Sequence, residues 1–125
     1  EVSLSATAPE ISSGICAVLA ETDVINMVSR GIKTPDIIKG IHLSIANRII
    51  KLLSSLKAES PIFLSGGMAL NSGMLQAIRE QLEETGKKFI IVTDPDAIYT
   101  GAIGAALWGG YRHFKLMQRK AEVEK

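Results

Sequence analysis

The 125-residue chain is short of several things at once: it has one cysteine, few aromatic residues (5%), no excess of either charge and no long uninterrupted apolar segment. Each shortage excludes something. A single cysteine, Cys16, cannot close an internal disulfide, so the fold must rest on a packed core rather than a covalent staple. Fourteen basic against thirteen acidic side chains leave a net charge of +1, too balanced to hold a polyanion, which argues against nucleic acid as a partner. The longest apolar run, from Ala97 to Tyr111, falls short of the roughly 20 residues a bilayer requires. It is also broken by Gly101, Gly104, Gly109 and Gly110, so no membrane span is expected. The opening EVSLSATAPEISSGICAVLA carries neither a basic leader nor an initiator methionine and reads as a cut end rather than a signal peptide; the expected compartment is the cytoplasm. No GxxxxGK[ST] loop, GxGxxG fingerprint, HExxH or CxxC pair occurs, which removes Walker and Rossmann phosphate sites and the common zinc sites.

What is present is a core-forming composition, 46% hydrophobic against 22% charged, at the length of one domain. A helix is expected over about 21–30, with Val24, Ile25 and Val28 on one face and Gly31 ending it in the left-handed region. Thr34-Pro35-Asp36 then supplies a cap, a first-turn proline and a first-turn acid. The helix that follows repeats Ile37, Ile41, Ile45, Ile49 and Leu53 at i+4, widened by Leu52 and Leu56, with Lys39, Asn47, Lys51 and Ser54 elsewhere on the wheel. Pro61–Leu64 and Phe89–Val92 are short apolar runs of the kind buried on both faces of a parallel sheet. Between them Asn71 or Ser72 caps a helix whose Met74, Leu75, Ile78 and Leu82 face the sheet and which ends near Gly86, completing a βαβ unit. Thr93-Asp94-Pro95-Asp96 turns the chain into a last helix. Its Gly101 and Gly104 each cost about 1 kcal/mol against alanine, a cost expected to be offset by close backbone approach at Gly101, Ala102, Gly104, Ala105 and Ala106. The ending RHFKLMQRKAEVEK, about residues 112–125, reads as a charged, solvated helical tail.

In an open parallel sheet, ligands bind beyond the carboxyl ends of strands, which is where Ser65-Gly66-Gly67 falls. Without Cβ atoms the backbone there can lie flat against a ribose or a base, and the next helix offers free N–H groups. On these residues alone, a tight turn with no ligand is the commoner explanation of a glycine pair between strand and helix. His42 and His113 have no nucleophile readable near them, and Asp94 and Asp96 around Pro95 are first of all turn and cap residues. Cys16, on residue chemistry alone, is a small buried apolar side chain.

Longer stretches go further. SGGMALNSGMLQAIREQL and DPDAIYTGAIGAALWGGYRH resemble the C-terminal part of the ATP-hydrolysing activators of benzoyl-CoA reductase and 2-hydroxyacyl-CoA dehydratase, and DIIKGIHLSIANRI resembles the same family's helix. ISSGICAVLAETDVINMVSRGI is similar to the family's segment around a cluster-binding cysteine, and the ending looks closest to the benzoyl-CoA reductase ATPase subunits, the one lettered D in particular. The resemblance runs from about Ile11 to His113. It implies an α/β fold, part of a ribonuclease H-like domain of the actin, Hsp70 and sugar-kinase ATPase type. It implies ATP or ADP with Mg, the nucleoside against Gly66 and Gly67 with Met68 and Asn71 nearby, and Lys39, His42 and Ser44 as purine neighbours. It also implies that Cys16 ligates a 4Fe-4S cluster shared with an identical or homologous ATPase subunit, the pair passing electrons to catalytic reductase subunits. The pattern is incomplete here. A second cysteine and two phosphate loops are missing, so the chain reads as the C-terminal part of a longer subunit that hydrolyses nothing alone. Other readings stay open: a 2-hydroxyacyl-CoA dehydratase activator, an acetylglucosamine-type sugar kinase on the same fold with Cys16 in its core, and a non-catalytic interaction domain.

Overall fold

The structure is a computed structural model that describes residues 1–12 and 17–123, with side-chain surroundings for 1–12 and 19–122. Its elements, in chain order, are a 3-10 turn (Val2–Ser5), α1 (Ala17–Ser29), α2 (Thr34–Ser55), β1 (Ile62–Phe63), α3 (Ser72–Thr85), β2 (Ile91–Val92), a second 3-10 turn (Pro95–Tyr99) and α4 (Thr100–Val123).

α3 forms where its sequence says it should. The Asn71 side chain accepts from Met74 N–H at 3.0 Å at one end, and Gly86 closes the other in the left-handed region at φ 64°. Met74, Ala77, Ile78 and Leu82 are buried on one face and pack against Ala46 and Ile50 of α2, with Leu64, Phe89 and Ile91 at the edge of the cluster. β1 and β2 pair in parallel, Ile62 opposite Ile91 and Phe63 opposite Val92. Only one face of this two-stranded sheet is covered among the described residues. Phe63, Ile90 and Val92 stand exposed on the chain's surface, so the expectation of strands buried on both faces does not hold here.

α2 buries a different line from the isoleucine stripe. Asp36, Ile37, Lys39, Gly40, His42, Ser44, Ala46 and Ile50 are buried, while Ile45, Leu52 and Leu56 are exposed. Small residues decide this, because Gly40, Ser44 and Ala46 let α3 and the first ten residues come close, and long isoleucines on that face would hold them apart. At Gly40 a Cβ would lie 2.6 Å from the Glu10 carbonyl carbon. Asp36, expected as a first-turn acid, is buried and accepts from Thr7 N–H (2.7 Å) and Ala8 N–H (2.8 Å), which straps the N-terminal segment across α2. Lys39, placed on the outer side of the wheel by its charge, is buried and pairs with Glu80 of α3 at 2.6 Å. In α1 the buried residue is Met27, while Ile25 and Val28 are exposed and Val24 is half-buried, so the apolar face expected there is not the one that packs.

α4 is exposed along its described length, Leu107 at 70% and Trp108 at 64%. None of its glycines meets another part of the described chain, so the close approach expected around Gly101 and Gly104 is not made within these residues. No helix among the described residues is long and apolar enough to cross a membrane.

Candidate functional site

Three of the four residues expected at a nucleoside lie on one short bend after β1. Gly66 has φ 88°, a conformation glycine adopts without penalty, and its carbonyl accepts from Ala69 N–H at 3.0 Å, folding the chain back beneath the bend. Ala69 is fully buried under it, and Met68 is half exposed on top. Asn71, the fourth, follows as the cap of α3, its side-chain oxygen taken up by Met74 N–H, and the start of that helix directly follows the bend.

Gly66 and Gly67 differ from the two buried glycines Gly40 and Gly73, and share their open surroundings with Gly31, Gly86 and the glycines of α4. At Gly40 and Gly73 the chain itself occupies the missing Cβ position: the Glu10 carbonyl at the first, and at the second Ser3 Oγ together with His42, whose Nδ1 would lie 2.9 Å away. At Gly66 and Gly67 nothing described comes within 4 Å of that position. The first pair are glycine for internal packing. The second pair carry a bare backbone that the chain's own packing leaves uncovered. Surface concavities elsewhere, one along Trp108, Tyr111, Arg112 and Lys115 and one lined by Glu10, Asp23, Asn26 and Arg30, include no residue of the bend.

A second segment holds the bend from below. Gly66 N–H donates to the Ala97 carbonyl at 2.9 Å, and Thr93 Oγ1 donates to the Leu64 carbonyl at 3.1 Å. The sequence presents 93–97 as a turn into the last helix and gives no hint of this role. A signal exists in the Asp94-Pro95 start of a capped turn, but nothing in the residues pairs that turn with Gly66.

Lys39, His42 and Ser44, expected as purine neighbours, face inward. Ser44 Oγ donates to the Ile41 carbonyl at 2.9 Å, and Lys39 is engaged by Glu80. Desolvation by itself would raise the Glu80 pKa; hydrogen bonds from Lys39 and Gln76, with the Lys39 charge, outweigh it and hold the carboxyl below its ordinary value. His42 is buried beside Gly73 with no partner for Nδ1. Burial lowers its pKa from 6.5, and the Lys39 charge lowers it further. The neutral imidazole is therefore the form the fold accommodates. The unfolded chain takes up a proton at higher pH than the folded chain does, so the His42 contribution is intact above pH 6.5 and is lost as pH falls below it. The thermal unfolding midpoint of wild type should fall more steeply than that of His42→Gln as the pH drops below 6.5. Parallel curves would show that the imidazole does not govern this dependence.

Cys16 lies outside the described residues. Among the described ones no group of three histidine, cysteine, aspartate or glutamate side chains is placed to hold a metal ion.

Residues 1–109 match the model of the BadF/BadG/BcrA/BcrD ATPase family. The chain is 53% identical over 116 residues to a benzoyl-CoA reductase subunit of Thauera aromatica, the one lettered D, covering 92% of this chain and 41% of that protein. It superposes on the activator of 2-hydroxyisocaproyl-CoA dehydratase from Clostridium difficile with bound ADPNP at a TM-score of 0.76 and 30% identity, covering 95% of this chain and 42% of the activator. Component A of (R)-2-hydroxyglutaryl-CoA dehydratase from Acidaminococcus fermentans gives a TM-score of 0.71 at 37% identity, covering 86% and 39%. The chain thus spans about two-fifths of the length of these proteins.

Proposed function

We propose that this chain, which belongs to the BadF/BadG/BcrA/BcrD ATPase family, supplies the adenosine-binding face of an ATP-driven, electron-activating subunit serving the reduction of an aromatic acyl-CoA. The fold is that of the activator ATPases, the actin and Hsp70 type, represented here by α2 and α3 packed on one face of a small parallel sheet. The observation that carries the reading is the place of an open glycine pair, at the carboxyl end of β1 and immediately before the capped start of α3. Gly40 and Gly73 are filled by the chain itself, and Gly66 and Gly67, at the carboxyl end of β1, are not. A nucleoside laid there meets main chain without side-chain obstruction, Met68 at its edge and the first turn of α3 beside its polar atoms. The 53% identity to a benzoyl-CoA reductase component, against 43% to the (R)-2-hydroxyglutaryl-CoA dehydratase activating ATPase, favours the reductase branch over the dehydratase activators.

The rest of the machine belongs to the complete protein. The phosphate loops and Mg ligands are assigned upstream of these residues, and the exposed face of the sheet and the length of α4 are assigned as surfaces the remaining chain covers. The cluster does not fit this chain alone. One cysteine per copy gives two thiolates per pair where four are needed, so further cysteines come from outside these residues, and no step is assigned through the cluster here. The ATPase pair is taken to be of identical or homologous subunits and to hand electrons to catalytic reductase subunits, in the cytoplasm.

Cys16 is the residue that distinguishes this assignment from a kinase on the same fold. In the complete protein, reconstituted without oxygen, Cys16→Ala should reduce bound iron to background while ADP affinity stays within about twofold, well under the tenfold that 1.4 kcal/mol represents. Undiminished iron and cluster absorption in that variant would remove the thiolate from the assignment.

A further inference from the structure

The Asp94–Thr100 segment is built to hold the glycine bend. Asp94 has extended backbone at φ −136°, and its carboxylate accepts from Asp96 N–H at 2.8 Å while its carbonyl accepts from Ala97 N–H at 2.9 Å. These two bonds close the 3-10 turn Pro95–Tyr99 and bury Ala97 to 1% exposure. The Ala97 carbonyl then gathers three donors: Gly66 N–H at 2.9 Å, Thr100 Oγ1 at 2.9 Å and the Thr100 N–H. A carbonyl fixed on its own side by the turn and by Thr100 is a rigid acceptor for Gly66. Gly66 needs one, because a residue without a side chain at φ 88° has no packing of its own to keep it there. Across the sheet edge, Thr93 Oγ1 binds the Leu64 carbonyl and Leu64 N–H binds the Val92 carbonyl at 2.8 Å, so the residues entering both turns are tied together.

We propose that Asp94 is a positioning residue for nucleotide binding: through the capped Pro95–Tyr99 turn and the Ala97 carbonyl it fixes the orientation of Gly66 and Gly67, and with it the affinity for the adenosine part of ATP or ADP. The inference rests on the nucleoside reading of that bend. It also accounts for a use of backbone that the site does not otherwise explain. The Gly66 N–H is taken by Ala97, so the nucleoside meets this residue through its bare Cα and peptide face, and any direct N–H contact comes from beyond Gly66.

Asp94 is exposed and its carboxylate makes one local bond, so its replacement leaves the core intact. In the complete protein, Asp94→Ala should raise the dissociation constant for ADP and the KM for ATP about five- to tenfold, the loss expected for one cap. The kcat at saturating ATP should stay within about twofold of wild type. Amide exchange over residues 64–70 should quicken, and Asp94→Asn and Asp94→Ser, which keep an oxygen for Asp96 N–H, should restore wild-type values. A merely structural cap would lower the unfolding midpoint and leave the KM and the 64–70 exchange where they were. Wild-type affinity in Asp94→Ala, or equal weakness in Asp94→Asn, would overturn the positioning role while leaving the nucleoside site standing. ADP that binds wild type without protecting residues 64–70 would overturn both.

Discussion

Gly67→Val should separate binding from folding. The Cβ position of Gly67 is open and its φ lies outside the left-handed region, so nothing described resists a side chain. Unfolding should therefore stay within about 0.5 kcal/mol of wild type, as for a substitution that touches nothing. If the nucleoside rests on this backbone, three carbons inserted between them overfill a fitted contact, which typically costs about 1–3 kcal/mol, or about 5- to 150-fold in affinity. Equilibrium titration of the complete protein with ADP measures this, and Gly67→Ala should fall in between. Gly66→Val is a poorer probe, because φ 88° strains any β-branched side chain whether or not a ligand is present. Unaltered ADP affinity in Gly67→Val would move the nucleoside away from the bend.

Gly40→Ala tests the sign of a competition. Alanine in place of a mid-helix glycine stabilises a helix by about 1 kcal/mol. At this position the added carbon meets the Glu10 backbone, 2.6 Å from its carbonyl carbon, and backbone cannot swing aside as the end of a long side chain can. Overpacking at the upper end of its range, about 3 kcal/mol, leaves a net loss of about 2 kcal/mol once the helix gain is subtracted. The cost falls on the strap formed by residues 1–10. Thr7 and Ala8, whose N–H groups bind the buried Asp36 carboxylate, should exchange roughly 30-fold faster, the equivalent of that loss. Slower exchange would show that helix propensity wins and that the strap does not lie against Gly40. Asp36→Ala should loosen the same two amides without touching Gly40, because a buried carboxylate with two N–H donors is the strap's other fastening.

The parts of the fold legible in the sequence are those specified by neighbouring residues. α3 announces both ends through Asn71 and Gly86 and its inner face through Met74, Ile78 and Leu82. β1 and β2 lie within the two apolar runs that mark them, though each is only two residues long. What is not legible depends on partners distant in the chain. The isoleucine stripe of α2 has the regular spacing of a core face, yet the buried line runs through Asp36, Lys39, Gly40 and His42. Each of these is explained by something remote: Thr7 and Ala8, Glu80, Glu10, and Gly73 with Ser3. Periodicity reports apolar spacing and cannot report which face a second helix and a strap will choose. The small residues of α4 illustrate the same limit, since close approach needs a neighbour, and none of the described residues provides one.

At the candidate site, the sequence locates the bend through its two glycines and the end of a strand. It does not reveal that the two kinds of glycine differ in what surrounds them, nor that Ala97 reaches back to Gly66. Resemblance to the family's helix draws Lys39, His42 and Ser44 toward the nucleoside, whereas Lys39 pairs with Glu80 of α3, His42 lies against Gly73, and Ser44 bonds back to its own helix at Ile41.

Titration of the isotopically labelled complete protein with ADP, following backbone amide signals residue by residue, addresses the bend most directly. Saturable shifts centred on Gly67 and Met68, extending to Ser72 and Gly73 at the start of α3 and absent from the exposed face of α4, are the predicted result. Binding of ADP with those four signals stationary would contradict it.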